Sequence, residues 1–216
     1  MSDIGTIFAA VFVHNAMEEQ KQQIVKTALE NFKRYGIKSV SIDDICRQMS
    51  MSKKTFYQYY ESKDELVEAV LDLMNSSAHD SAEAFMQGKT ALECVRMLVD
   101  LYQKAPDVHK EPPLNYDLQK YYPQLYKEHV NRILAGTKEI LTRHLQQGKD
   151  EGVYREDLDV EICAVMYALV QQAFIRNEDG IYSVSPKRLI RFTMESFLRS
   201  IVSEEGKKLL NDKYKI

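Results

Sequence analysis

The chain has 216 residues, 44% of them hydrophobic and 28% charged, with eight glycines, five prolines and no tryptophan. That length supports a full hydrophobic core, and the composition excludes a low-complexity or collagen-like chain. The formal net charge of −3 excludes a protein that is basic throughout, yet residues 17–63 hold nine Lys/Arg against six Asp/Glu. A basic head with an acidic remainder favours local attraction to phosphate without indiscriminate adhesion.

Ile4 to Val13 is an apolar run with no preceding Lys or Arg. It is too short to span a bilayer and carries the wrong charge for a secretory signal, so no membrane association is expected. Residues 1–16 are expected to be a disordered tail, or an extension ahead of a start at Met17. From Met17 to Tyr35, the recurrence of Ile24, Val25, Ala28, Leu29, Phe32 and Tyr35 predicts one amphipathic helix. Gly36 stops it, since glycine takes the left-handed conformation without steric cost.

Ser41 is placed to cap a second helix, with Asp44 in the third position as a near capping box. Ile42, Ile45 and Met49 form its inner face. It ends near Ser50, and Ser52 caps a third, short helix. That third helix carries Ser52, Lys53, Lys54, Thr55, Tyr57, Gln58 and Tyr59, leaving only Phe56 and Tyr60 as anchors. A helix of polar and basic groups held by two aromatics, directly after another short helix, suits insertion in a DNA major groove. Lys53 and Lys54 begin it, where the helix dipole already favours phosphate. Thr55 and Gln58 are candidates for base edges, together with one of the lysines. Tyr57, Tyr59, Lys63 and Ser41 are expected to contact phosphates, which fix register without reading sequence.

A long helix is predicted from Lys63 or Asp64 to about Phe85, and further helices over 90–104, 123–148, 158–175 and 186–202. Prolines make 107–122 short or kinked. The fold class is therefore all-α: a three-helix HTH domain over 17–63, linked by helix 63–85, and a helical ligand-binding and dimerisation domain over 64–216. The last two helices are apolar on too many sides for one stripe, which suggests a symmetric homodimer with Met166, Val170, Phe192, Phe197 and Ile201 at its interface. Tyr102, Tyr116, Tyr121, Tyr122 and Tyr126, with Phe174, are candidate walls of a pocket for an apolar or aromatic small-molecule effector. Core and surface tyrosines around a proline-broken helix are the alternative.

Cys46, Cys94 and Cys163 form no CxxC pair and read as buried free thiols of a cytoplasmic protein. The histidines have no metal-ligand spacing. No cofactor motif, Gly-rich phosphate loop or nucleophile elbow is present, so the chain is not expected to be an enzyme.

The segment Ser41 to Leu66 resembles the TetR family of bacterial transcriptional regulators. The matching residues are Ile45 and Cys46, then Ser52 and Thr55, then Phe56-Tyr57-x-Tyr59-Tyr60 and Ser62-Lys63-x-Glu65-Leu66; about fifty residues, Gln20 to Leu71, carry the likeness. The resemblance implies a dimeric regulator of a double-stranded DNA operator, with a helical regulatory domain that binds a small molecule. It also implies that Tyr57 and Tyr59 aim hydroxyls at phosphate. A co-regulator or architectural DNA-binding protein whose C-terminal domain binds a protein partner is the alternative. Ser50 stands where the family usually has glycine, which implies a steric penalty if the backbone there is left-handed. Lys54 stands where a small residue is usual and adds a charge facing DNA.

Overall fold

Scarce helix breakers and long amphipathic runs leave little for this chain to form except helices. The computed structural model describes the backbone of residues 4–104, 113–176 and 185–211, with side chains from Met17 onward apart from residues 102–103, 174–176 and Pro186. Among the described residues there are ten α-helices and no strand: α1 (Ile4–Tyr35), α2 (Ile42–Gln48), α3 (Lys53–Phe56), α4 (Lys63–Met86), α5 (Ala91–Lys104), α6 (Pro113–Tyr121), α7 (Pro123–Asp150), α8 (Val160–Arg176), α9 (Pro186–Ile201) and α10 (Glu204–Leu209). The all-α expectation holds.

Two elements differ from the sequence reading. Helix α1 begins at Ile4, well ahead of Met17. Nothing between Thr6 and Tyr35 is a proline or glycine, so a helical start at Ile4 meets no stop before Gly36. Helix α10 was not anticipated because Gly206 sits inside it. Its cap is Ser203, whose Oγ accepts from the Gly206 N–H at 3.0 Å. A Cβ at Gly206 would collide with the Val153 carbonyl.

The chain divides into two compact units, Met1–Ser76 with Glu111–Lys127, and Ser77–Lys110 with Glu128–Ile216. The first is built on α1, which buries Ile24, Ala28 and Phe32 against Ile45 of α2, Phe56 of α3, and Leu66, Val67 and Val70 of α4. Leu114 and Leu118 of α6 enter the same core. The first unit is therefore discontinuous in sequence.

The second unit packs Ala91 and Leu92 of α5, Leu145 of α7, Ala164 of α8, and Leu198 and Ile201 of α9 around Tyr154. Gly148 is what admits Tyr154: a Cβ there would collide with the ring. Main-chain bonds from Arg155 N–H to the Ile201 carbonyl (2.9 Å) and from Ser203 N–H to the Val153 carbonyl (3.0 Å) tie the turn after α7 to the end of α9. An ion pair joins Glu83 to Arg143.

Candidate nucleic-acid interface

The α2–α3 corner is fixed by its caps. Ser41 Oγ accepts from Asp44 N–H at 3.2 Å, and Asp44 Oδ2 accepts from Ser41 N–H at 3.0 Å. Both halves of a capping box are present, with Asp in place of the usual Glu. The Ser41 hydroxyl also donates to Asp44 Oδ2 at 2.6 Å. These bonds, the side-chain one first, hold the exposed Asp44 carboxyl below its ordinary range.

Helix α2 ends in a Schellman arrangement. Met51 N–H reaches the Cys46 carbonyl at 2.9 Å and Ser50 N–H reaches the Arg47 carbonyl at 3.2 Å. The turn requires a left-handed residue, and Ser50 supplies it with φ 52°. The conformation that glycine would take freely is thus taken by serine.

Ser52 then caps α3, its Oγ accepting from Thr55 N–H at 3.0 Å. The Thr55 hydroxyl is 2.8 Å from the same oxygen. Ser52 and Thr55 therefore engage each other, and the half-buried Thr55 offers its methyl group more freely than its hydroxyl. Phe56 and Tyr60 are buried, as expected of the anchors. Burial pushes the Tyr60 phenol up to about 12. Tyr59 packs half-buried against the core. The exposed members of the predicted set are Ser41, Ser52, Lys53, Lys54, Tyr57 and Gln58. Tyr57 stands edge-on to Phe56 with ring centroids 5.5 Å apart. Lys53 Nζ is 2.8 Å from Asp43 Oδ1, so its charge is partly compensated.

Lys63 is engaged within the fold. Its Nζ donates to the Ile37 and Val40 carbonyls, each at 2.5 Å. Two of an ammonium's three donors are thereby committed to the connection between α1 and α2. Burial is the main influence drawing its pKa down. The motif Ser62-Lys63 was legible in the sequence, but the direction of the lysine was not.

The predicted pocket residues separate. Tyr102 and Phe174 lie outside the described side chains. Tyr116, Tyr121, Tyr122 and Tyr126 belong to the first unit. Lys120 Nζ donates to the Tyr116 hydroxyl at 3.1 Å, and Gln119 Nε2 donates to that of Tyr126 at 3.2 Å. Burial and the Asp64 carboxylate push the Tyr122 phenol up to about 12.

A cavity of about 420 Å³ lies in the second unit. Phe85 of α4, Leu98 of α5, Ile140 of α7 and Phe197 of α9 are among its walls, with His144 and Tyr154 contributing polar atoms. His144 Nε2 and the Tyr154 hydroxyl are 2.7 Å apart. Burial lowers the His144 pKa, with Glu151 acting in the opposite sense. Cys94 also lines this space, and burial is the chief cause raising its thiol pKa. No spacing rule in the sequence could have assembled these walls, because they come from separate helices.

The predicted interface residues divide as well. Met166 is exposed, and Ile162, Val165 and Leu169 accompany it on α8. Val170 is half-buried on the same helix. Phe192 of α9 is 67% exposed. Ile201 is buried in its own unit, and Phe197 packs on Tyr167 with ring centroids 5.1 Å apart. At 3.6 residues per turn, Ile201 lies about half a turn round the helix from Phe192. One face of α9 is core and the opposite one is open.

Two capped helices with a left-handed turn, completed by a third helix beneath them, define a helix-turn-helix DNA-binding class of protein. Residues 24–70 match the family model described as bacterial regulatory proteins, tetR family. A transcriptional regulator of the TetR family from Cytophaga hutchinsonii has a similar structure, with a TM-score of 0.65 at 18% identity, covering 88% of this chain and 98% of that one. Residues 24–70 thus carry the DNA-binding domain that this family model describes, and the likeness to the solved regulator extends the shared helical fold over most of the chain.

An uncharacterized HTH-type transcriptional regulator of Bacillus subtilis, YerO, is 23% identical over 153 residues, covering 68% of this chain and 53% of YerO. The match thus spans about half the length of that relative. A transcriptional regulator from Saccharomonospora viridis, solved in complex with choline, has a TM-score of 0.61 at 20% identity and covers 87% of this chain and 100% of that one. No helix among the described residues is long and apolar enough to cross a membrane.

Proposed function

We propose that this regulator is a cytoplasmic repressor that binds a palindromic operator as a homodimer and leaves it when a small molecule occupies the second unit. The observation that carries the reading is the exposed group Lys54, Tyr57 and Gln58 on the short helix α3 and the turn that follows it. Lys54 and Tyr57 would meet phosphate, and Gln58 would pair with an adenine edge. Lys63 would act through the fold of the head and only weakly on DNA.

Dimerisation is supported by the exposed apolar row of α8, Ile162, Val165, Met166 and Leu169, with Phe192 on α9. A patch of this kind is uncommon on a monomer, and a two-fold contact would cover it. Effector control is supported by the cavity. The similar regulator solved with choline fits a family habit of small-molecule binding. The effector can shift the DNA-binding equilibrium only by its differential affinity for the two states.

Footprinting of DNA upstream of the protein's own gene, at fixed salt, tests the reading. Two protected half-sites whose centres lie roughly 34–36 Å apart, or a small multiple of that, are expected. Protection that ignores sequence, or a single half-site bound by a monomer, would overturn it.

A further inference from the structure

The cavity of the second unit constrains its occupant by charge as well as by size. Among the described residues no lysine or arginine lines it. The acid among those residues is Glu195, whose Oε1 takes a hydrogen bond from Arg191 Nε at 2.7 Å. An anion placed inside would find no counter-charge, and a cation would have to compete with Arg191. Either ion would lose several kcal/mol of hydration on entry. The remaining walls are mostly aromatic and aliphatic, Phe85, Leu98, Ile140 and Phe197 among them.

Among the polar members of this surface, which also include Ser81, Thr137 and Tyr167, one pair is joined by a hydrogen bond. The His144 imidazole and Tyr154 hydroxyl share a single hydrogen bond of 2.7 Å. If tyrosine donates, its oxygen keeps a free lone pair; if histidine donates, the tyrosine O–H is free. In both tautomers the Tyr154 oxygen retains one place for a further partner. Gly148 lets the ring seat against α7, and Leu145 and Leu198 share its core cluster, so that oxygen has little freedom to move.

We infer that the cavity binds an uncharged, mainly hydrocarbon molecule that carries one hydroxyl or carbonyl oxygen, received by the His144–Tyr154 pair. At roughly 30 Å³ for each heavy atom, its volume suits a ligand of about ten to fifteen non-hydrogen atoms. The inference deepens the effector reading above and rests on it only for the link to DNA.

Thermal-shift and calorimetric titration of the full chain with a chain-matched series provides the test. Decan-1-ol is expected to bind saturably, with decanoate at pH 8 and decyltrimethylammonium at least tenfold weaker. Leu98→Trp, which fills the cavity, should abolish decanol binding while helicity by circular dichroism is kept. Tyr154→Phe should weaken decanol several-fold and leave hexylbenzene, which has no polar atom, unchanged. Equal or tighter binding of either ion would overturn the exclusion of charge. Decanol binding that survives Leu98→Trp would place the site elsewhere, and indifference to Tyr154→Phe would remove the polar contact. Operator binding read in the same titration separates the two ideas. Decanol bound in the cavity without release of DNA would sustain the ligand class and overturn the effector role.

Discussion

The carboxylate of Asp117 accepts a hydrogen bond from the main-chain N–H of Lys38 at 2.7 Å, across 79 positions of sequence. Gly36 makes room for it: φ there is +83°, and a Cβ would lie 2.7 Å from the same oxygen. A helix from beyond the middle of the chain thus fastens the turn between α1 and α2. Asp117→Ala should lower stability by about 1.5–3 kcal/mol, the range for a hydrogen bond to a charged group. Amide exchange at Lys38 should accelerate, while Asp117→Asn, which keeps an acceptor, should preserve most of the protection. Unchanged exchange in Asp117→Ala would remove this role.

Ser50 offers a change in the opposite direction. A side chain in the left-handed region costs roughly 1–2 kcal/mol, and glycine avoids it at the expense of a freer unfolded chain. Ser50→Gly should therefore raise stability by about 0.5–1 kcal/mol in denaturant unfolding, with an unchanged m-value. Ser50→Val should destabilise, because a β-branched residue tolerates φ 52° worst. A neutral outcome for both would mean that the turn relaxes in solution.

Lys54 and Lys63 should separate in their effects. Lys54→Ala is expected to weaken all DNA sequences alike and reduce the salt slope by about one, with stability unchanged. Lys63→Ala is expected to lose about 1–3 kcal/mol of stability through its two carbonyl bonds and to alter the salt slope little. Gln58→Ala should cost about 1–3 kcal/mol at one base position only. Binding isotherms at several salt concentrations, paired with unfolding curves, would decide each case; a salt slope altered by Lys63→Ala and not by Lys54→Ala would reverse the assignment.

Acid should destabilise the second unit. Burial lowers the pKa of His144 and of His129 below the ordinary 6.5. Below that value the unfolded chain gains protons that the folded histidines resist. Stability therefore rises with pH in this window and is lost as pH falls from about 6.5 toward the folded values. The melting temperature should drop between about pH 7 and 5.5, and His144→Leu should flatten part of that dependence. A variant as steep as the parent would show that His144 does not contribute.

Much of the DNA-binding corner was legible in the sequence because its determinants are local. Ser41 with Asp44, and Ser52 with Thr55, satisfy groups within three residues of themselves. The anchors Phe56 and Tyr60 followed from helical spacing. The interior of the second unit was not legible, since its walls meet only after α4, α5, α7 and α9 have packed. The tyrosines at 116–126 drew attention by type, whereas their partners, Lys120, Gln119 and Asp64, were decided by tertiary neighbours. On α9 the excess of apolar residues was real, and only packing could assign Phe192 to one side and Ile201 to the other.

The discontinuous head bears on how the chain is made. Leu114, Asp117 and Leu118 complete a core begun at Ile24, so that core stays open while α1 to α4 are already synthesised. Emergence of α6, ending at Tyr121, from the ribosome is the earliest moment at which the head can close. Until then the part of that core which Leu114 and Leu118 complete keeps an uncovered apolar edge, the surface a chaperone would recognise in the nascent protein. For the same reason, grafting a head from a relative by exchanging only the residues before α5 would leave a foreign α6 wedged into it.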